Sequence, residues 1–116
     1  MNVAQTRIGP LQLGILVLAL ATALIHIMLA IPTNLILFYL NGLGYIALAV
    51  ALLLPQLAPY RRLIRYALMA FTAVTIIGWA VAGERSTIAY IDKLIEVALL
   101  VLLIVDMRRS SDGAAA

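Results

Sequence analysis

Three charged residues lie close together in an otherwise apolar stretch of the sequence: Asp92, Lys93 and Glu96. Glu96 is four residues after Asp92 and three after Lys93, so the three side chains lie along one broad face of a helix. Lys93 can form an ion pair with Glu96, which reduces the cost of burying either charge. On insertion scales a charge at the centre of a bilayer costs roughly 2.5–3.5 kcal/mol. These residues therefore require a structural or a functional explanation.

Other polar residues of the apolar stretches lie at a similar depth. The helix rise of about 1.5 Å per residue puts Asp92 about 6 Å and Glu96 about 12 Å from one end of the helices. The same count puts His26 about 7 Å, Asn41 about 9 Å and Thr75 about 12 Å from that end. The spacing predicts one polar layer, shared by four helices, in the outer half of a membrane. It predicts almost no non-basic polar side chains in the inner half.

Three interpretations of this layer stay open. The first is a hydrogen-bonded network that sets helix register, since buried polar groups commonly satisfy one another. The second is a proton- or cation-binding site at Glu96 or Asp92 with His26, because intramembrane carboxylates and histidines are typical of proton relays. The third is a docking surface for another membrane subunit. Asp92 and Lys93 can also reach the outer headgroups, which weakens all three interpretations.

The sequence excludes several kinds of chemistry. It contains no cysteine, which excludes disulfides, thiolate metal sites and cysteine catalysis. Its single histidine, His26, excludes haem ligation by two histidines of one chain. It has no nucleophile elbow, no phosphate-binding glycine loop and no paired-histidine metal motif. We therefore expect no enzyme activity, no bound metal and no cofactor.

The elements that must position these residues are long apolar helices. Of the 116 residues, 66% are hydrophobic and only 11% are charged, whereas a soluble domain has about a quarter charged residues. Four apolar runs cover residues 11–31, 35–54, 63–82 and 88–105, each with roughly the 20 residues needed to cross a bilayer. Short connections make neighbouring helices antiparallel. The predicted fold is all-α, an integral membrane four-helix bundle in the lipid bilayer. It comprises an N-terminal segment (1–10), a four-helix domain (11–105) and a disordered tail (106–116).

The basic residues predict the orientation of this bundle. One side carries Arg7, Arg61, Arg62, Arg108 and Arg109, with Arg65 one turn further in, and the other side carries Arg85 beside Glu84. The positive-inside bias predicts a multi-pass protein of the cell (inner or plasma) membrane with both termini in the cytoplasm. The basic residues form no stripe on a polar face, so we expect no nucleic-acid partner. Arg61, Arg62 and Arg65 are candidates for contacts with anionic lipid headgroups.

Small residues at helix-packing spacing predict faces on which helices approach closely. The first helix has Ala19 and Ala23, four residues apart. The corresponding sets are Gly44, Ala47 and Ala51 in the second helix and Ala67, Ala70 and Ala73 in the third.

The length and the number of helices resemble those of the small multidrug resistance transporters, whose four-helix chains form antiparallel dimers. That family carries its essential glutamate in the middle of the first helix, where this sequence has no acidic residue. The one-sided arginines also disfavour insertion in both orientations. We therefore assign no family on this resemblance.

Two functions are compatible with these patterns. The tiny loops and the lack of catalytic motifs favour a non-catalytic accessory or scaffolding subunit that packs with itself or with other membrane subunits. The alternative is a homo-oligomeric small transporter or channel. It would use a proton- or cation-binding site in the outer half of the bundle, formed by His26, Asn41, Asp92, Lys93 and Glu96.

Overall fold

The computed structural model describes residues 9–115, which form four α-helices and one short 3-10 helix, with no strand in this range. The helices are α1 (Pro10–Thr33), α2 (Ile36–Leu53), α3 (Arg61–Ala82) and α4 (Thr87–Ala115), and the 3-10 helix (Pro55–Tyr60) precedes α3. The predicted all-helical class is confirmed. The bounds predicted for the first three helices lie within two residues of these ends. Arg7 and most of the predicted N-terminal segment lie outside the described residues.

The first and the last helix both run further than the sequence pattern suggested. α1 was expected to end at residue 31, before Pro32, but it continues to Thr33 and ends where Asn34 takes a left-handed conformation with φ 54°. Asparagine tolerates that conformation because its short polar side chain can bond locally. α4 was expected to end at residue 105, yet it continues to Ala115. Asp106 is buried and bonded to two other helices, which holds the helix beyond the predicted end.

The four helices form a closed ring in which each packs against its neighbours in the chain and α4 packs against α1. We call the end with the α1–α2 and α3–α4 connections the loop end, and the end with the 3-10 helix the termini end. α1 and α4 are antiparallel, because Thr22 of α1 meets Asp92 near the loop end and Gln12 meets Asp106 near the termini end.

The contact between α1 and α2 is especially close at Gly42. A Cβ atom at that position would lie 2.8 Å from the backbone oxygen of Ala23 and 2.6 Å from Cγ1 of Ile27. Ala19 and Ala23 are fully buried, as predicted for the packing face of α1. The packing face predicted for α2 is confirmed at Gly44, where a Cβ atom would lie 2.5 Å from the Phe71 ring of α3. The predictions are wrong for Ala47 of α2 and for Ala67 and Ala70 of α3, which are exposed.

Three stretches are long and apolar enough to cross a membrane: Pro10–Thr33, Ile36–Leu53 and Pro55–Ala82. The structure thus supports the predicted membrane location at this coarse level. α4 differs from the other three helices because Asp92, Lys93 and Glu96 lie well inside it, whereas the three arginines of α3 lie within its first five residues. Large apolar side chains are exposed on the outside of all four helices, including Met28, Leu37, Val74 and Leu94. An apolar surface of this extent is unusual for a soluble monomer and is what lipid favours.

Candidate functional site

Six polar side chains from three helices meet inside the bundle, and we call them the carboxylate cluster. Thr22 and His26 come from α1 and Tyr45 from α2, while Asp92, Lys93 and Glu96 come from α4. The burial is nearly complete: the exposed fraction is 0% for Glu96, 3% for Asp92 and 9% for Lys93. The three charges predicted on one face of α4 therefore point into the bundle rather than towards headgroups.

Each carboxylate of the cluster has one oxygen held by a hydroxyl group. Thr22 Oγ1 donates to Asp92 Oδ1 at 2.5 Å, and it also lies 3.3 Å from Glu96 Oε2. Tyr45 donates its phenolic proton to Glu96 Oε2 at 2.7 Å, reaching from α2 to α4 through the centre of the ring. These bonds fix the orientation of both carboxylates.

The other oxygen of each carboxylate faces Lys93. Its ammonium group pairs with Glu96 Oε1 and lies 3.2 Å from Asp92 Oδ2. Two carboxylates and one ammonium sum to a charge of −1. Because the interior of a bundle poorly solvates a net charge, one more positive charge from a proton or a bound cation would balance the cluster.

His26 is oriented by its own helix. Nδ1 lies 2.8 Å from the backbone oxygen of Thr22, and since a carbonyl only accepts, Nδ1 carries the hydrogen and donates it. In neutral imidazole the other nitrogen, Nε2, is then an acceptor. Nε2 lies 3.6 Å from Asp92 Oδ2. Two acceptor atoms thus face one another across a gap where a proton or a cation fits.

A cavity of about 540 Å³ leads from the loop end to the carboxylate cluster, and we call it the vestibule. This volume is within the range of about 300–1,000 Å³ that is usual for small-molecule sites. His26, Asp92 and Lys93 line its inner part, and residues of both connections, Thr33, Leu35, Glu84 and Ser86, line its outer part.

Asn41 was predicted to belong to the cluster, but it lies beside it in the wall of the vestibule. Its Nδ2 donates to Thr75 Oγ1 at 2.8 Å, linking α2 to α3. Its Oδ1 is buried and has no hydrogen-bond partner within residues 9–115. That oxygen is an acceptor available to water or to a solute in the vestibule.

A second polar cluster lies near the termini end and was not predicted. Arg65 Nε donates to Asp106 Oδ2 at 3.0 Å, and Gln12 Nε2 donates to Asp106 Oδ1 at 2.9 Å. These bonds join α1, α3 and α4. The expectation that the inner half of the bundle holds almost no non-basic polar side chains is therefore wrong.

This second cluster also corrects the prediction that Arg65 contacts lipid headgroups. Arg65 is only 8% exposed and is paired with Asp106, so its guanidinium faces the bundle interior. Arg61 donates through Nε to the backbone oxygen of Leu52 at 3.2 Å. Arg62 is exposed and its guanidinium lies 5.9 Å from the ring centre of Tyr66. A headgroup contact stays a prediction for Arg61 and Arg62.

An apolar layer separates the two polar clusters. Glu96 and Asp106 are ten residues apart on α4, a distance of about 15 Å along the helix. Between them the core consists mainly of fully or almost fully buried aliphatic side chains: Ile15, Ala19, Ala49, Leu52, Leu68, Leu99 and Leu103. The hydroxyl group of buried Thr72 donates to its own helix, to the backbone oxygen of Leu68. A polar solute therefore meets a closed apolar barrier below the carboxylate cluster.

Sequence reasoning missed two members of the carboxylate cluster. Thr22 lies one helical turn before His26, and Tyr45 lies one turn after Asn41, so each shared a face with a predicted residue. That spacing was the available signal. Neither residue carries a charge. Because a hydroxyl group costs little free energy in an apolar helix, neither residue required an explanation in the sequence.

These features define a class: an all-helical bundle with apolar, membrane-length helices and a buried ionisable cluster at the base of a vestibule. No family model, no curated protein and no solved structure matches this chain.

Proposed function

We propose that this chain is an integral membrane protein with four transmembrane helices, whose carboxylate cluster binds a proton or a small cation that enters through the vestibule. It would act as a small transporter or channel, or as a subunit of one. The observation that carries this proposal is the position of the cluster, which is buried inside the bundle and yet lines a cavity leading outward.

The fourth transmembrane helix is supported by the direction of its charges. Asp92, Lys93 and Glu96 face inward, and the outward face of α4 is apolar, with Leu94 72% and Val101 52% exposed. Intramembrane ionisable residues typically face the bundle interior or a cavity in this way. α4 also runs alongside α1 from the carboxylate cluster to the cluster at the termini end, so both helices would cross the same layer.

The orientation is proposed from the basic residues. Arg62, Arg108 and Arg109 are exposed near the termini end, whereas the loop end has Arg85 with Glu84 beside it. The positive-inside bias then puts the termini end in the cytoplasm. The vestibule would open on the extracytoplasmic side, and the apolar layer would close the bundle towards the cytoplasm.

For a cation to cross the membrane through this protein, the apolar layer must open or be bypassed. One way is a shift between helices that opens this layer while closing the vestibule, as alternating access requires. The other is a pathway formed between two or more copies of the chain, since a four-helix bundle is small. Both are compatible with a binding site that is reached from one end in this conformation.

An accessory or scaffolding role in a larger membrane assembly is the second candidate. Its support is the shortness of the connections between α1 and α2 and between α3 and α4, which leaves little chain outside the bundle. The carboxylate cluster gives this role no support, because its charges are bonded within one chain and are buried away from the outer surface.

A flux measurement on the reconstituted full chain tests the proposal. Vesicles containing the protein and an internal pH-sensitive dye are given a pH step, with and without an opposing gradient of a monovalent or divalent cation. We expect cation-dependent proton movement that Glu96→Gln abolishes. Arg62→Gln is the control, because Arg62 is exposed near the termini end and does not line the vestibule, and it should leave the movement unchanged.

Folding must be checked for each variant by its elution profile and its helical content in detergent. Absence of flux in the unmodified protein, together with co-purification of membrane partners after mild extraction, would reject the transport proposal and favour the accessory role. Equal flux in Glu96→Gln would remove the carboxylate cluster from the pathway.

A further inference from the structure

The carboxylate cluster contains the ligand set of a transition-metal site. His26, Asp92 and Glu96 each offer one ligand atom, and these atoms all lie within 4.8 Å of one another. A tetrahedral metal bound at about 2.0–2.1 Å separates its ligand atoms by about 3.3 Å. The observed separation of His26 Nε2 and Asp92 Oδ2 is 3.6 Å, so these two atoms need little movement to bind one metal ion.

The tautomer of His26 is the one that a metal requires. Metal-binding histidines commonly donate the other ring N–H to a backbone carbonyl, which fixes the ring and exposes the lone pair. Here Nδ1 donates to the Thr22 carbonyl oxygen at 2.8 Å, and Nε2 faces Asp92.

The hydroxyl groups of the cluster each hold one carboxylate oxygen, which leaves the other oxygen of each carboxylate for a cation. Thr22 holds Asp92 Oδ1 and Tyr45 holds Glu96 Oε2. The remaining oxygens, Asp92 Oδ2 and Glu96 Oε1, are the two that face Lys93. The ammonium group of Lys93 therefore occupies the place of a cation between the carboxylates.

Lys93 has another place for its ammonium group. The side chain is long and flexible, lines the vestibule, and already holds Nζ 5.9 Å from the ring centre of Trp79. An ammonium near an indole ring is stabilised by cation–π attraction, and Trp79 shares this role with Arg85, whose guanidinium lies 4.2 Å from the ring centre. If a divalent ion replaces the ammonium between the two carboxylates, the ion neutralises both of their charges.

We propose that His26, Asp92 and Glu96 bind a divalent first-row transition metal ion, such as Zn²⁺, Mn²⁺ or Co²⁺, and that Lys93 is a tethered cation which this ion displaces into the vestibule. The imidazole nitrogen selects such ions over Mg²⁺ and Ca²⁺, which prefer oxygen ligands. Three protein ligands leave a fourth coordination position for water, as in zinc sites that keep an open position. The inference rests on the proposed function, since it names the cation class of that same site.

The test is metal binding by the purified full chain in detergent or nanodiscs, with any affinity tag removed. Co²⁺ is the spectroscopic probe, because its visible absorption reports nitrogen and oxygen coordination, and Zn²⁺ is titrated by calorimetry. The unmodified protein should bind both, and Mg²⁺ at equal concentration should not compete. His26→Gln should weaken Zn²⁺ binding at least about tenfold and abolish the Co²⁺ spectrum, since even residues that only support ligands cost 10–100-fold.

Lys93→Met provides the decisive comparison. It preserves the length of the side chain and removes the competing charge, so Zn²⁺ should bind about tenfold more tightly, because the metal no longer breaks charge-assisted bonds. A purely structural role of the cluster gives no reason for opposite effects of His26→Gln and Lys93→Met. If Lys93→Met does not fold, the Co²⁺ spectrum of the unmodified protein and its loss in His26→Gln decide the matter.

Absence of Co²⁺ absorption and of Zn²⁺ binding in the unmodified protein would overturn this inference. So would equal Zn²⁺ affinity in His26→Gln. The two proposals fail separately: flux without metal binding leaves a proton or monovalent-cation site, and metal binding without flux leaves a metal site in a protein that does not transport.

Discussion

Replacing Arg65 by leucine removes one partner of the buried ion pair at the termini end. Asp106 would then keep only the bond from Gln12, while remaining 5% exposed in the bundle. Breaking a buried pair from one side costs about 3–5 kcal/mol, because the other charge stays buried without compensation. We expect a loss near the lower value, about 3 kcal/mol, since Gln12 still donates to the carboxylate.

The assay is reversible unfolding of the purified protein in mixed micelles, followed by circular dichroism as the denaturing detergent is increased. Arg62→Leu is the matched control, three residues away on the same helix but exposed. Its expected effect is within about 0.5 kcal/mol, as for most surface substitutions. The double variant Arg65→Leu, Asp106→Leu should recover much of the loss, because apolar replacement of a whole buried pair is often neutral or stabilising.

Equal destabilisation by Arg65→Leu and Arg62→Leu would refute this reasoning. It would indicate that Arg65 reaches water or headgroups and that its pairing with Asp106 contributes little. A double variant whose loss equals the sum of the two single losses would show that the residues act independently.

Three further predictions follow from particular contacts. Tyr45→Phe removes a hydrogen bond to a carboxylate and should cost about 1.5–3 kcal/mol in the same unfolding assay, so a loss below 0.5 kcal/mol would contradict that bond. Gly42→Ala should cost about 1–3 kcal/mol by forcing α1 and α2 apart, whereas Gly78→Ala, where a Cβ meets nothing within 4 Å, should stabilise α3 slightly. Because the chain has no cysteine, Ser86→Cys and Ala58→Cys report the orientation. Only the first should react with an impermeant maleimide added outside intact cells, and the reverse pattern would invert the proposed topology.

The two polar clusters have different chemical character. The cluster at the termini end pairs one cation with one anion and is bonded across three helices. This arrangement suits a structural role that holds the three helices together. With both of its carboxyl groups ionised, the carboxylate cluster has one anion in excess, and its residues His26, Asp92 and Lys93 line a cavity. A proton or a cation that enters through this cavity would balance the excess charge.

The sequence by itself determined the helical class and the approximate ends of three helices. The apolar runs are too long and too uniform for other structures, and in lipid a helix satisfies its own backbone bonds. The spacing of Asp92, Lys93 and Glu96 also placed them together, because residues three and four apart share a helix face whatever the tertiary structure.

Only the tertiary structure decided how each helix is rotated about its axis. Nearly every position of α1 and α2 is apolar, so the pattern does not distinguish the face that meets lipid from the face that meets the core. That rotation brought Thr22 and Tyr45 to the carboxylates, paired Asn41 with Thr75 and turned Arg65 inward to Asp106. These contacts join residues 34 to 74 positions apart, and they depend on close packing around small residues such as Gly42, which local spacing does not encode.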